Sequence, residues 1–181
     1  MTIFRALLLS LVTLSASAAD KMYYVGEATL SGEAGQAMGS QVILLEKTHD
    51  PGQNLIVERA IVVKPGGQAA EEHTMEMKVD GDRFTIKDLR NTVQGNGKLF
   101  GPAWRWTYFK AEYASANGAK IEDENYMNDP AVLVARKKIS APSGKVLMYM
   151  DVTLKAITPE TFKILASNLL RSEASAKPAA P

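Results

Sequence analysis

The stretch Ala131–Lys155, AVLVARKKISAPSGKVLMYMDVTLK, decides the fold. Its second half places an apolar residue at every second position, the period of a β-strand with two different faces. The first half is also strand-like, and Ala141-Pro142-Ser143-Gly144 between them has the composition of a tight turn. The stretch therefore predicts an antiparallel hairpin, in which Val146, Met148, Met150, Val152 and Leu154 share one face.

The same alternation runs from about Met22 to Ile157. We count about nine or ten strands, roughly one every 12 residues, separated by turns such as Asp80-Gly81-Asp82 and Asn117-Gly118. Connections this short join antiparallel neighbours and leave no room for crossover helices. The prediction is an all-β fold, an antiparallel up-and-down β-barrel, because closing the sheet removes its two exposed edges.

One α-helix is predicted after the last strand. Thr158 suits the N-cap position, and Pro159 suits the first helical position. Phe162, Leu165 and Leu169 then follow at helical spacing and need an apolar surface to cover, either the barrel wall or an open end of the barrel. The segment 172–181, SEASAKPAAP, is small, polar and rich in alanine and proline, which predicts a disordered tail.

The first nineteen residues have the layout of a secretory signal peptide. Met1–Arg5 carries a positive charge, Ala6–Leu14 is apolar, and Ala16-Ser17-Ala18 resembles a cleavage site. The apolar run is too short to cross a membrane, which takes about 20 residues. We therefore expect residues 1–19 to be removed, residues 20–171 to form the barrel domain, and the protein to be periplasmic or secreted.

The order of these parts is similar to that of lipocalin-like (calycin) β-barrels. In that family a signal peptide, an antiparallel meander of hairpins and a C-terminal helix follow one another in the same order along the chain. The resemblance covers about residues 22–170 and is one of architecture. It implies a closed barrel with the helix packed against it.

Composition excludes several classes of function. There is no cysteine, so disulfide scaffolds, iron–sulfur clusters and thiol nucleophiles are ruled out, and only two histidines are present. Without Arg5 the basic and acidic side chains balance, which argues against nucleic acid as a partner. No apolar run after residue 19 is long enough for a membrane span. No catalytic or nucleotide-binding motif occurs, so we expect neither an enzyme nor a cofactor.

Trp104, Trp106 and Tyr108 are the first candidate site. If they lie on one face of a strand, they form an aromatic wall that could hold an apolar or planar ligand. The alternative is that these large side chains simply fill the core of a small barrel.

Arg59 and Arg105 are the second candidate site. Arg59 interrupts an apolar face, and Arg105 lies between the tryptophans. An arginine that points into the barrel needs an acidic partner or an anionic ligand. The alternative is that Arg59 reaches the rim or pairs with a carboxylate such as Glu58 or Glu112.

Two further groups could bind metals. His73, Met75 and Met77 would share a strand face, and imidazole with thioethers suits Cu(I), although methionine is also a common core residue. Glu122-Asp123-Glu124 could bind Ca²⁺, but its spacing favours a solvated acidic turn.

Together these features favour an exported barrel that binds a small apolar or amphipathic molecule. The alternatives are a solidly packed barrel that acts through its outer surface and, third, a Cu(I)-binding periplasmic protein. The volume and lining of the interior distinguish the first two, because a ligand needs a cavity of roughly 300 Å³ or more.

Overall fold

The computed structural model is a closed antiparallel barrel of ten strands with one C-terminal helix, as predicted. It describes residues 20–63, 70–89, 92–103 and 106–176. The elements are β1 Asp20–Ser31, β2 Ala37–Asp50, β3 Leu55–Val63, β4 Ala70–Asp80, β5 Arg83–Asp88, β6 Val93–Phe100, β7 Tyr108–Ser115, β8 Lys120–Asp129, β9 Val132–Ser140, β10 Val146–Ile157 and α1 Pro159–Ala176.

Each strand pairs with its neighbours in the sequence, and β1 closes the barrel by pairing with β10 as well as with β2. Across this closing pair, Ala28 lies opposite Val152 and Leu30 lies opposite Met150. Gly81, Gly118 and Gly144 lie in the turns that the sequence predicted and have positive φ angles of 62°, 78° and 90°. These positions favour glycine because a Cβ atom is strained in that region.

The interior of the barrel is apolar. The ring of Phe84 lies directly over Gly97. A Cβ atom at position 97 would be only 2.3 Å from this ring, so the interior has no room for a larger residue there. The rings of Phe84 and Phe109 meet edge to face at 5.6 Å. The other buried inward residues on the strands include Tyr24, Ala28, Ile56, Met77, Val79, Leu99, Ala111, Leu133, Val152 and Leu154.

The helix α1 packs against the outer wall of the barrel over β1, β2 and β3. Its N-cap is Thr158, as predicted, because the Thr158 hydroxyl accepts a hydrogen bond from the Thr161 amide at 3.2 Å. Phe162 and Ala166 are buried against Leu44 and Ile61, two outward-facing strand residues that the helix covers. Covering these side chains makes part of the outer wall as apolar as the interior.

The helix continues to Ala176, past Arg171, where the sequence predicted a disordered tail to begin. Alanine is the strongest helix former, and no proline interrupts the chain until residue 178, so the helix can extend this far. Residues 177–181 and the expected signal peptide, residues 1–19, lie outside the described residues.

Most of the outer wall carries charged side chains in pairs. Examples are Lys87 with Glu76 at 3.1 Å and Lys138 with Glu122 at 2.8 Å, each joining neighbouring strands. In the part of the chain that the structure describes, no helix is long and apolar enough to cross a membrane.

Removing the aromatic ring that anchors the helix should destabilise the protein. Phe162→Ala takes away a buried side chain, and we expect it to lower the free energy of unfolding by about 3 kcal/mol. Ile164→Ala is the matched control, because Ile164 is on the same helix but 62% exposed, and it should change stability by less than about 0.5 kcal/mol. Urea unfolding followed by circular dichroism measures both. Equal losses in the two variants would contradict the packing described here.

Candidate functional site

The two ends of the barrel differ. We call the end with the β2–β3, β4–β5, β6–β7 and β8–β9 connections the closed end. The opposite end, with the β1–β2, β3–β4, β5–β6, β7–β8 and β9–β10 connections, is the open end. Trp106, in the β6–β7 connection, is 1% exposed and belongs to the interior core. Its ring lies edge-on to Phe109 at 4.6 Å and helps to fill the barrel near the closed end.

Inward side chains become partly exposed toward the open end. On β10, Val152 and Leu154 are buried, whereas Met150 and Met148, nearer the open end, are partly exposed. In a closed barrel an inward side chain can meet solvent only through an end, so the interior opens here as a cup. The cup is lined by Ile43, Ala60, Met75, Tyr113, Ile121, Lys137, Ile139, Met148 and Met150, all partly exposed.

A cavity of about 580 Å³ lies at the lip of this cup. It straddles the rim of the barrel: the inward residues His73, Met75, Asp88 and Val93 line one side, and the other side is lined by Glu72 and Thr74 on the outer face of β4 and by Leu89 and Thr92 in the β5–β6 connection. The Asp88 carboxylate stabilises the β5–β6 connection by accepting hydrogen bonds from the Thr92 amide at 2.6 Å and the Val93 amide at 3.0 Å.

A polar cluster lies in the wall of the cup on β7, β8 and β9. Lys137 forms an ion pair and hydrogen bond with Asp123 and donates to the Tyr113 hydroxyl at 3.3 Å. Tyr113 donates to Oδ2 of Asp123 at 3.2 Å, and Asn125 donates to Oδ1 at 2.7 Å. The Asp123 side chain is 5% exposed, whereas that of Lys137 is 27% exposed. The carboxylate is therefore held inside the wall, whereas part of the Lys137 side chain is exposed in the cup.

The pKa values of Lys137 and Tyr113 in this cluster are both raised. Burial disfavours the charged ammonium of Lys137, but Asp123 and Tyr113 together outweigh this effect and raise the pKa of Lys137 above its ordinary value. Burial also raises the pKa of the Tyr113 phenol. At neutral pH Lys137 is therefore an ammonium and Tyr113 a neutral phenol.

A second ion pair lies deeper, where β2 and β3 face the interior. Lys47 is fully buried, and its Nζ atom is 3.1 Å from Oε1 of Glu58 and 4.3 Å from the ring centre of Trp106. The contact with Glu58 lacks the geometry of a hydrogen bond, and Lys47 Nζ and Trp106 Nε1 have no hydrogen-bond partner among the described residues. Burial lowers the pKa of Lys47, and Glu58 opposes this effect. The pair is electrically neutral while both groups are charged.

Of the three aromatic residues predicted as a wall, the two that the structure describes, Trp106 and Tyr108, do not share a face. Trp106 is inside the barrel, but Tyr108 faces outward, where its ring packs against Phe100 at 5.3 Å and Tyr126 at 4.9 Å. The physical reason is that β7 begins only at Tyr108, so Trp106 reaches the interior from a connection and not by strand alternation. Trp104 and Arg105 lie outside the described residues.

Arg59 lies on the outer wall. Its guanidinium forms two hydrogen bonds with Glu72, at 2.7 and 3.1 Å, and lies 3.6 Å from Glu46. This bidentate contact lowers the pKa of Glu72. Arg59 therefore pairs with carboxylates, as its alternative interpretation required, but with Glu46 and Glu72 instead of Glu58 or Glu112.

His73, Met75 and Met77 alternate along the inward face of β4, from the lip of the cup toward the core. His73 is exposed, with Nε2 3.5 Å from Oε2 of Glu71, whereas Met77 is 1% exposed and packs in the core. Within the described residues, no group of three or more histidine, aspartate or glutamate side chains could hold a metal ion.

Sequence reasoning missed the polar residues of the interior. Lys137 follows Leu133 and Ala135 at alternating positions, which is the one available signal that a lysine points inward. Asp123 was assigned to a solvated acidic turn, but it lies on β8 and is buried. The reason is that Glu122 and Glu124 face outward while the residue between them faces inward.

The outer wall has a larger open groove, of about 730 Å³, over β4 to β7. Its polar lining is charged, with Lys78, Arg83, Lys98 and Lys110 beside Asp80 and Glu112. Lys98 is already paired with Asp82 at 3.0 Å and Lys110 contacts Glu124 at 3.6 Å, so part of the positive charge of the groove is compensated.

No protein-family model matches the chain, and no curated protein shows significant similarity to it.

Breaking the ion pair in the cup should cost more stability than breaking one outside. Lys137→Met leaves Asp123 in the wall without its cation, and we expect a loss of about 3 kcal/mol. Lys138→Met, the matched control on the next residue, breaks the outer pair with Glu122 and should cost less than about 1 kcal/mol. Urea unfolding at pH 7 measures both losses. A Lys138→Met loss as large as that of Lys137→Met would contradict the inward position of Lys137.

The stability of the protein should fall at alkaline pH. The pKa of Tyr113 is raised in the folded state, so its contribution is complete below the ordinary tyrosine value near 10. Above about pH 10 the unfolded chain loses the proton while the folded chain keeps it, and the free energy of unfolding decreases. In Tyr113→Phe this decrease should be shallower. Urea unfolding at pH 9, 10 and 11 tests this, and an equal slope in both proteins would refute it.

Proposed function

We propose that the protein is an exported, lipocalin-like binding protein that holds a small apolar or amphipathic molecule in the cup. The observation that carries the proposal is the change along the strands from buried to partly exposed inward side chains. A barrel that served only as a scaffold would gain stability from filling both ends equally. The layout of residues 1–19 is the basis for export to the periplasm or the exterior.

The lining of the cup supports an apolar ligand. Met75, Met148 and Met150 contribute flexible, polarisable side chains that adapt to ligand shape. Isoleucines from β2, β8 and β9 complete an apolar surface above the polar cluster. This combination of apolar walls with a few polar groups is typical of small-molecule sites.

Filling the cup should abolish binding. The neutral fluorophore N-phenyl-1-naphthylamine emits strongly in apolar sites, and we expect the purified protein to enhance its fluorescence. Met150→Trp replaces a flexible thioether in the cup with a large ring and should weaken binding at least about tenfold. A steric cost of about 1.4 kcal/mol is enough for this change. Leu147→Trp, at a residue of the same strand that is 45% exposed, should leave binding unchanged.

Circular dichroism of each variant shows whether it is folded. Met148→Trp, nearer the lip, is the substitute if Met150→Trp does not fold. If the wild-type protein does not bind the fluorophore, or if Leu147→Trp weakens binding as much as the variants inside the cup, the proposal fails. The packed barrel that acts through its outer surface is then the better account.

A further inference from the structure

The polar cluster lies one row beneath the lip of the cup. Ile139 and Met148 are paired across β9 and β10 in the first row, and Lys137 and Met150 are paired in the row below. A molecule that enters through the open end therefore passes apolar side chains before it reaches the Lys137 ammonium. An amphipathic ligand contacts both rows favourably when its polar head enters first and its apolar part stays near the lip.

Both interior lysines are already paired with an acid, Lys137 with Asp123 and Lys47 with Glu58. The inward carboxylate at the lip, Asp88, accepts hydrogen bonds from the Thr92 and Val93 amides. A carboxylate head group would lose its hydration beside Asp123 with no unpaired cation to compensate, and this is costly. An ammonium head group would face the Lys137 ammonium. An uncharged head group avoids both penalties.

The hydrogen-bond pattern also favours a ligand head group that accepts a hydrogen bond. The Asp123 carboxylate already accepts from Tyr113, Lys137 and Asn125. The Lys137 ammonium has three N–H donors, and its bonds to Asp123 and Tyr113 use two of them. Among the described residues the third donor has no hydrogen-bond partner, and the Lys137 side chain is 27% exposed in the cup.

We infer that the cup binds uncharged amphiphiles head first, and that a hydroxyl, carbonyl or ether oxygen of the head group accepts a hydrogen bond from Nζ of Lys137. This inference rests on the proposed function, because it specifies the chemistry and the orientation of the molecule in the same cup. It excludes long-chain carboxylates and amines as preferred ligands.

Three probes with the same alkyl chain test the inference. 1-Decanol below its solubility limit, and decanoate and decylammonium below their micelle concentrations, compete at pH 7.5 with N-phenyl-1-naphthylamine for the wild-type protein. We expect 1-decanol to displace the fluorophore at concentrations about tenfold lower than either ion, which corresponds to about 1.4 kcal/mol. If decanoate or decylammonium competes as well as 1-decanol, the inference is overturned, whereas the proposed function still stands because the fluorophore binds.

Variants of Lys137 test the hydrogen bond itself. Lys137→Met should weaken 1-decanol binding about fivefold, the effect of one hydrogen bond, and change the affinity for the fluorophore by a smaller factor. Lys137→Gln retains a donor and is expected to recover part of the affinity; it is also the substitute if Lys137→Met does not fold. Lys138→Met, on the outer wall, should behave as wild type. If the affinity for 1-decanol is unchanged in folded Lys137→Met, this donor has no role in binding. If the wild-type protein does not bind the fluorophore, the proposed function is refuted as well.

Discussion

The pairing of β1 with both β2 and β10 is the constraint on which the rest of the structure depends. Closure leaves no unpaired strand edge, and it also separates the inward residues from solvent except at the two ends. At one end Trp106 and the core around it fill the interior, whereas at the other end most inward side chains remain partly exposed, although Leu30 is buried. The cup is thus a direct consequence of closing the sheet and filling only one of its ends.

The sequence was sufficient for the fold because strand alternation, turn residues and the helix N-cap are local signals. It was not sufficient to decide which strand face points inward. Val57, Arg59, Ile61 and Val63 form an apolar-looking face, but it is the outer one, because α1 covers Ile61. An outer wall that carries a helix has the same hydropathy pattern as an inner wall, so alternation alone cannot separate the two.

The candidate site was the less predictable part for a related reason. Trp106 enters the interior from the β6–β7 connection, where no period of two applies. Lys137 and Asp123 become a pair only because Asp123 lies opposite Lys137 across β8 and β9, and this register depends on how the whole meander closes. A lysine on an apolar strand face is visible in a sequence, but its partner on another strand is not.

The two interior ion pairs have different roles because they differ in access to solvent. Lys47 is enclosed between Glu58 and the Trp106 ring, and the large cost of burying an unpaired charge ties β2, β3 and the β6–β7 connection together. Lys137 is also paired, yet its side chain is partly exposed in the cup, and its two hydrogen bonds leave one donor for a group that enters from the open end. The acid in each pair removes net charge from the interior. A ligand is then selected by its hydrogen-bond acceptor and its apolar surface, and not by charge.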